Sequence, residues 1–130
     1  MEIRSDIFNK MRTNFDGVLK LINRPNTDKL LDWLERHKFY EVPASVTNHN
    51  AFRGGLLKHS LEVCNEGLAI CHDYRRYDNT IGLSQKKESI TVCCLLHDIC
   101  KWNNYYVSPY DGKVKCDKKA ISEGHGCKNP

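Results

Sequence analysis

The stretch Leu95-Leu96-His97-Asp98-Ile99-Cys100-Lys101 sets an imidazole and a carboxylate side by side in an apolar frame. Val92, Leu95, Leu96 and Ile99 recur at helical spacing, so the segment reads as the end of a buried helix. A carboxylate buried there without a partner is costly or takes up a proton, and the adjacent pair therefore implies a counter-charge. A divalent metal ion supplies one most economically. Lys101, one turn on from His97 and three residues after Asp98, lies near the same face, where its ammonium could hold a phosphate against the metal.

Two further histidines are candidates for the same cluster. His59 lies beside the apolar stripe of another predicted helix, and His125 follows a predicted hairpin. A lone histidine in such a place is more often a satisfied core or surface residue, and it is the company of His97 and Asp98 that makes His59 a candidate ligand. Nitrogen and oxygen ligands without thiolate suit Zn, Mn, Fe, Ni or Mg in varying degree, so the metal's identity stays open. A hydrolytic site needs such a set to leave one coordination position free, where water loses a proton near neutral pH. His49 reads either as a solvated loop residue or as a donor to a ligand or substrate, and Cys100 reads as core rather than as a thiolate ligand.

The elements that must position these groups are mostly helical. Ile3, Ile7, Met11, Phe15, Val18, Leu19 and Ile22 form a helical stripe that Pro25 stops. Asn26 or Thr27 is predicted to cap a second helix from Asp28 to about His37, with Leu30, Leu31 and Leu34 inward. Pro43 fixes an extended connection into a polar loop through Asn48-His49-Asn50. Gly54-Gly55 opens a long helix predicted over 56–75, with Leu57, Leu61, Cys64, Leu68 and Cys71 on one stripe. After a loop over 77–82, Ser84 is predicted to cap the helix that runs to His97-Asp98. Asp111-Gly112 between short alternating segments predicts a β-hairpin over 105–116. Lys113, Lys115, Lys118 and Lys119 give that arm a positive field, which reads more readily as a solvated hairpin than as a substrate-binding edge.

The 130 residues fit one domain, with N-terminal helices over 1–38 and a motif-bearing core over 39–126. With 40% hydrophobic and 28% charged residues the composition is that of a soluble globular chain, and a net charge of +4 permits a polyanionic partner without requiring one. No apolar run approaches the roughly 20 residues of a membrane span, and no signal-peptide core opens the chain, so a cytoplasmic location is expected. The seven cysteines are odd in number and include no Cys-x-x-Cys pair, which argues against a zinc ribbon or a thioredoxin-type site.

Asn48-His49-Asn50-Ala51-Phe52-Arg53-Gly54-Gly55-Leu56-Leu57-Lys58-His59-Ser60-Leu61-Glu62-Val63, followed after a helix-sized gap by Leu95 to Lys101 and later by Gly124-His125-Gly126, resembles the HD superfamily of metal-dependent phosphohydrolases. The resemblance covers roughly residues 38–126. It implies an all-α HD-domain helical bundle, carrying here a small β-hairpin near the C-terminus, in which His59, His97 and Asp98 bind a first metal. It further implies that His125 helps to bind a second and that Lys101 contacts the phosphate, with His49 and Arg53 as candidate substrate contacts. The activity implied is hydrolysis of a nucleotide or nucleic-acid phosphoester by a metal-activated water, with Asp98 and Lys101 as the catalytic pair.

Family members carry a further metal-binding Asp downstream of the glycine-flanked histidine. Asp111, Asp117 and Glu123 do not match that position, and five residues follow His125. Two expectations follow: the sequence is a truncated or fragmentary version of a longer protein, or self-association covers the apolar helix faces that missing helices would have buried. The alternative function is a catalytically inert HD-fold module that binds a nucleotide or a protein partner.

Overall fold

The computed structural model describes residues 3–22, 24–75 and 83–122. The fold is all-α with one small β-hairpin: α1 (Ser5–Lys20), α2 (Thr27–Arg36), a 3₁₀ turn (Phe39–Glu41), α3 (Gly55–Arg75), α4 (Leu83–Leu96), a second 3₁₀ turn (Ile99–Asn103), β1 (Tyr105–Val107), β2 (Val114–Cys116) and α5 (Lys118–Ser122). No helix among the described residues is long and apolar enough to cross a membrane. The loop expected over 77–82 lies outside the described residues apart from its flanking helices.

The core gathers where α1, α2 and the first 3₁₀ turn meet α3. Phe15, Leu34, Phe39, Leu56, Leu57 and Leu95 are completely buried. Phe15 packs on Phe39 at 5.5 Å between ring centroids and meets Tyr40 edge-on at 5.7 Å. The Tyr40 hydroxyl donates to Asp16 Oδ1 at 2.6 Å, and burial raises its pKa above the ordinary tyrosine value. In α1 the expected stripe is rotated slightly. Phe8 packs against the core, while Ile7 is 44% exposed.

Helix boundaries follow local chemistry. At the start of α2 no side chain of Asn26 caps; Asn26 has φ 66°, and the Thr27 hydroxyl donates back to the Arg24 carbonyl at 3.0 Å. The start of α3 is fixed more firmly, because Gly54 N–H donates to Glu41 O and Leu56 N–H to Val42 O, each at 3.0 Å. Gly54 itself has φ 85°, a left-handed conformation that favours glycine.

Gly67 decides how closely α3 and α4 approach. A methyl group there would lie 2.6 Å from Cys94 Sγ and 3.3 Å from Ile90 Cγ2. With hydrogen in its place the two helices pack side by side, which brings the N-terminal part of α3 against the C-terminal end of α4. The hairpin is antiparallel, with Tyr105 opposite Cys116, Tyr106 opposite Lys115 and Val107 opposite Val114. It is tied back to the second 3₁₀ turn by Asp117 N–H, which donates to Asn104 O at 2.7 Å.

Candidate metal centre

His59 stands one turn into α3. Its neighbours Leu56, Leu57 and Ser60 are fully buried and Leu61 nearly so, which clamps this turn and leaves the His59 ring at the edge of the core, 29% exposed. His97 and Asp98 come from the other side. α4 ends at Leu96, so both residues lie in the turn that follows it rather than within the helix, and Asp98 leads into the second 3₁₀ turn with φ −107° and ψ 19°. Fully buried Leu95 anchors the turn. The change from helix to turn swings the His97 and Asp98 side chains towards α3.

The rings of His59 and His97 converge. His59 Nε2 lies 3.2 Å from His97 Nε2, and Asp98 Oδ2 lies 3.2 Å from each of these nitrogens. His97 Nδ1 is 2.7 Å from the Cys94 carbonyl. A carbonyl only accepts, so Nδ1 carries a proton, which leaves Nε2 as the nitrogen able to present a lone pair inward. That lone pair and a lone pair of Asp98 Oδ2 then face each other at 3.2 Å, an arrangement that calls for a proton or a cation between them.

Whether a metal ion fits is decided by spacing and chemistry. Ligands held about 2.0–2.2 Å from a zinc-like ion are about 3.0 Å apart in octahedral and about 3.4 Å apart in tetrahedral geometry. The three 3.2 Å edges fall inside that interval. Two imidazoles and one carboxylate also form a donor set suited to a borderline divalent cation, and among the described residues these are the only three such side chains grouped this tightly.

Lys101 adds a cation to the same carboxylate, with Nζ 3.1 Å from Asp98 Oδ2. Asp98 is 14% exposed and Lys101 24%. Burial lowers the His59 pKa; the Asp98 charge opposes this, while His97 and Lys101 add to it. The His59 ring is therefore held neutral near pH 7, with a lone pair available for coordination.

A cleft of about 510 Å³ opens beside this cluster. His59, Asp98 and Lys101 form one wall, loop residues 44–49 another, and Tyr105 and Cys116 of the hairpin a third. The loop is held by Asn50, whose φ is 61° and whose carbonyl accepts Ala44 N–H at 3.1 Å. Asn50 Nδ2 also lies 3.4 Å from Glu62 Oε2, and Lys58 both donates to Asn50 Oδ1 at 3.4 Å and pairs with Glu62. A methyl group on Gly55 would sit 1.9 Å from the Asn50 carbonyl oxygen, so the second glycine is what allows the loop to close on α3.

His59, His97, Asp98 and Lys101 are thus brought together, and His49 lines the same cleft from the loop. Arg53 is not in that cleft. Its guanidinium pairs with Glu41, and it lines a neighbouring recess of about 510 Å³ with Lys113 and Val114. His125 lies outside the described residues. His37, read from sequence as a helix-end residue, donates from Nδ1 to Trp33 O at 2.8 Å and stacks on the Trp33 ring at 4.1 Å. Asn50, Tyr105 and Cys116 were not singled out from sequence; the Asn50 signal is its place five residues before a glycine that tolerates no side chain. Comparison with family models, curated proteins and solved structures gives no match.

Proposed function

We propose that the chain is a metal-dependent phosphohydrolase acting on a nucleotide or nucleic-acid phosphoester. The observation that carries this reading is the triangle of His59 Nε2, His97 Nε2 and Asp98 Oδ2, 3.2 Å on each edge, set in the wall of a cleft with a lysine beside it. The similarity of residues 48–63 and 95–101 to the HD superfamily supports the same reading. A bound divalent ion would supply Lewis acidity and lower the pKa of water at an open coordination position.

The chain's own groups do the rest. Cys94 O fixes the His97 tautomer so that Nε2 faces inward, and burial keeps His59 neutral at working pH. Lys101, already within 3.1 Å of Asp98, points a second cation at the cleft and would orient a phosphoryl oxygen and offset charge developing on it. His49, exposed on the loop, is placed to donate to a phosphate or leaving-group oxygen. By resemblance His125 would help to hold a second ion.

A second reading is favoured by the Lys101–Asp98 contact, since Asp98 already has a counter-charge without a metal. It is an inert module that binds a nucleotide unchanged. Incubation with bis-p-nitrophenyl phosphate, a nucleotide panel and short oligonucleotides separates the two. Turnover that EDTA abolishes, that Mn²⁺, Ni²⁺ or Zn²⁺ restores and that His97→Ala eliminates supports the hydrolase. Saturable binding with no product under every metal condition overturns it.

A further inference from the structure

Three recesses meet along β2. Val46 lines all of them; the cleft beside the metal centre shares Cys116 with a second recess of about 920 Å³, and that one shares Val114 with the third, beside Arg53. Through these shared residues they form a groove between the 44–53 loop and the hairpin. The centre's own cleft has the size of a small-ligand pocket, whereas the groove extends well past it.

The groove's lining is cationic away from the centre. Lys113, Lys115 and Lys118 line the second and third recesses with Asp117, and Arg53 lines the third while paired with Glu41. The Lys115–Asp111 contact, 3.3 Å between partners each more than 40% exposed, is a solvated surface pair that an anionic ligand readily displaces. Tyr106 sits directly opposite Lys115 in the hairpin register, so the ring and the ammonium share one face. That face is the opposite one from Tyr105 and Cys116 at the centre's cleft, and the second recess, lined by residues of both faces, runs round the hairpin to reach them. Tyr106 is 45% exposed and also borders the second recess.

An exposed aromatic ring beside a row of lysines matches the alternation of base and phosphate in a nucleic-acid strand. Bases stacked inside a duplex cannot reach such a ring. An acidic peptide would match the charge but leave the ring without a stacking partner.

We infer that this groove binds a single-stranded oligonucleotide, so that the phosphoester offered to the His59/His97/Asp98 centre belongs to a strand rather than to a free mononucleotide. The substrate class rests on the hydrolase reading, but the binding does not, and it is measured without metal.

The test is fluorescence anisotropy of fluorescein-labelled dT12 with the full chain in EDTA. The wild type is expected to bind saturably, with a log K against log salt slope of about −2, as three lysine contacts to a single strand give. Lys115→Glu/Lys118→Glu is expected to weaken binding at least tenfold, and Tyr106→Ala about tenfold. Lys20→Glu, which changes charge at the end of α1 outside the groove, is expected to leave it unchanged. Absence of saturable binding at 50 mM salt, wild-type affinity in both hairpin variants, equal binding of a blunt duplex, or equal competition by a twelve-residue polyglutamate each overturns the inference. Hydrolysis assayed separately with metal then decides the hydrolase reading, because dT12 bound but never cleaved removes that reading and leaves the groove.

Discussion

Replacing Gly55 by alanine adds one methyl group at the start of α3 and should disturb both the fold and the cleft. The methyl carbon would lie 1.9 Å from the Asn50 carbonyl oxygen and 3.2 Å from Ala44 N, both backbone atoms that no side-chain rotation can move. To restore contact at about 3.4 Å the Asn50 carbonyl must retreat by about 1.5 Å, which breaks its 3.1 Å hydrogen bond from Ala44 N–H. Overpacking costs about 1–3 kcal/mol and an unmade buried hydrogen bond about 1–3 kcal/mol. Alanine's better helix propensity returns at most about 1 kcal/mol. The net loss is about 3 kcal/mol, or roughly 10 °C in Tm for a domain of this size. Gly17→Ala is the control, because a methyl there meets nothing within 4 Å; it should raise Tm by a few degrees, as a gain of about 0.5–1 kcal/mol implies. Thermal melts of the three proteins by circular dichroism make the comparison. If Gly55→Ala melts within about 2 °C of the wild type, the clamp between Asn50 and α3 is not what holds the loop.

Gly67→Val should force α3 and α4 apart, because even a methyl group there would meet Cys94 Sγ at 2.6 Å. Metal affinity measured by competition with a chromogenic chelator should fall about 10–100-fold while the helical circular dichroism signal persists. Burial raises the pKa of the Cys64 and Cys94 thiols, so at pH 7.5 both should alkylate more slowly with iodoacetamide than exposed Cys93 and Cys116, as peptide mapping by mass spectrometry would read. Equal labelling of Cys64 would contradict its burial. Burial also holds the His59 pKa below its ordinary value. Its contribution to metal-free stability is therefore complete above about pH 6.5 and is lost as pH falls through the lower folded-state value. Tm measured against pH in EDTA should decline on the acid side more steeply for the wild type than for His59→Gln.

The parts of the fold that sequence made legible are those with strong local signals. The period of Met11, Phe15, Val18, Leu19 and Ile22 describes α1, and Asp111-Gly112 marks the hairpin with Tyr105 and Cys116 at its ends. At the N-terminal edge of α1 the same period admits either Ile7 or Phe8, and tertiary packing chose Phe8, whose ring lies 3.1 Å from where a methyl on Gly54 would be. Residue type and the resemblance of the two motifs group His59 with His97-Asp98, and the structure brings the three side chains within 3.2 Å of one another. The exit of His97 and Asp98 from α4 was not legible, since the apolar residues keep helical spacing through Ile99 although the helix stops at Leu96. The engagement of Arg53 by Glu41, twelve residues earlier, depends on the turn that sets Gly54 N–H on Glu41 O, a long-range fact without a periodic trace. Nothing in the apolar period of α3 marks Gly67, and only the neighbouring Cys94 gives it a purpose.

The proposed hydrolase depends on a cation that would join α3 to the turn after α4. Equilibrium dialysis against Zn²⁺, Mn²⁺, Ni²⁺ or Fe²⁺, read by inductively coupled plasma mass spectrometry, measures it directly for the wild type and for His59→Ala, His97→Ala and Asp98→Asn. The expected result is at least one divalent ion retained per wild-type chain at micromolar free metal, and loss of that ion in each folded variant. A wild-type chain that retains none of the four, or variants that retain as much as it does, would contradict the account.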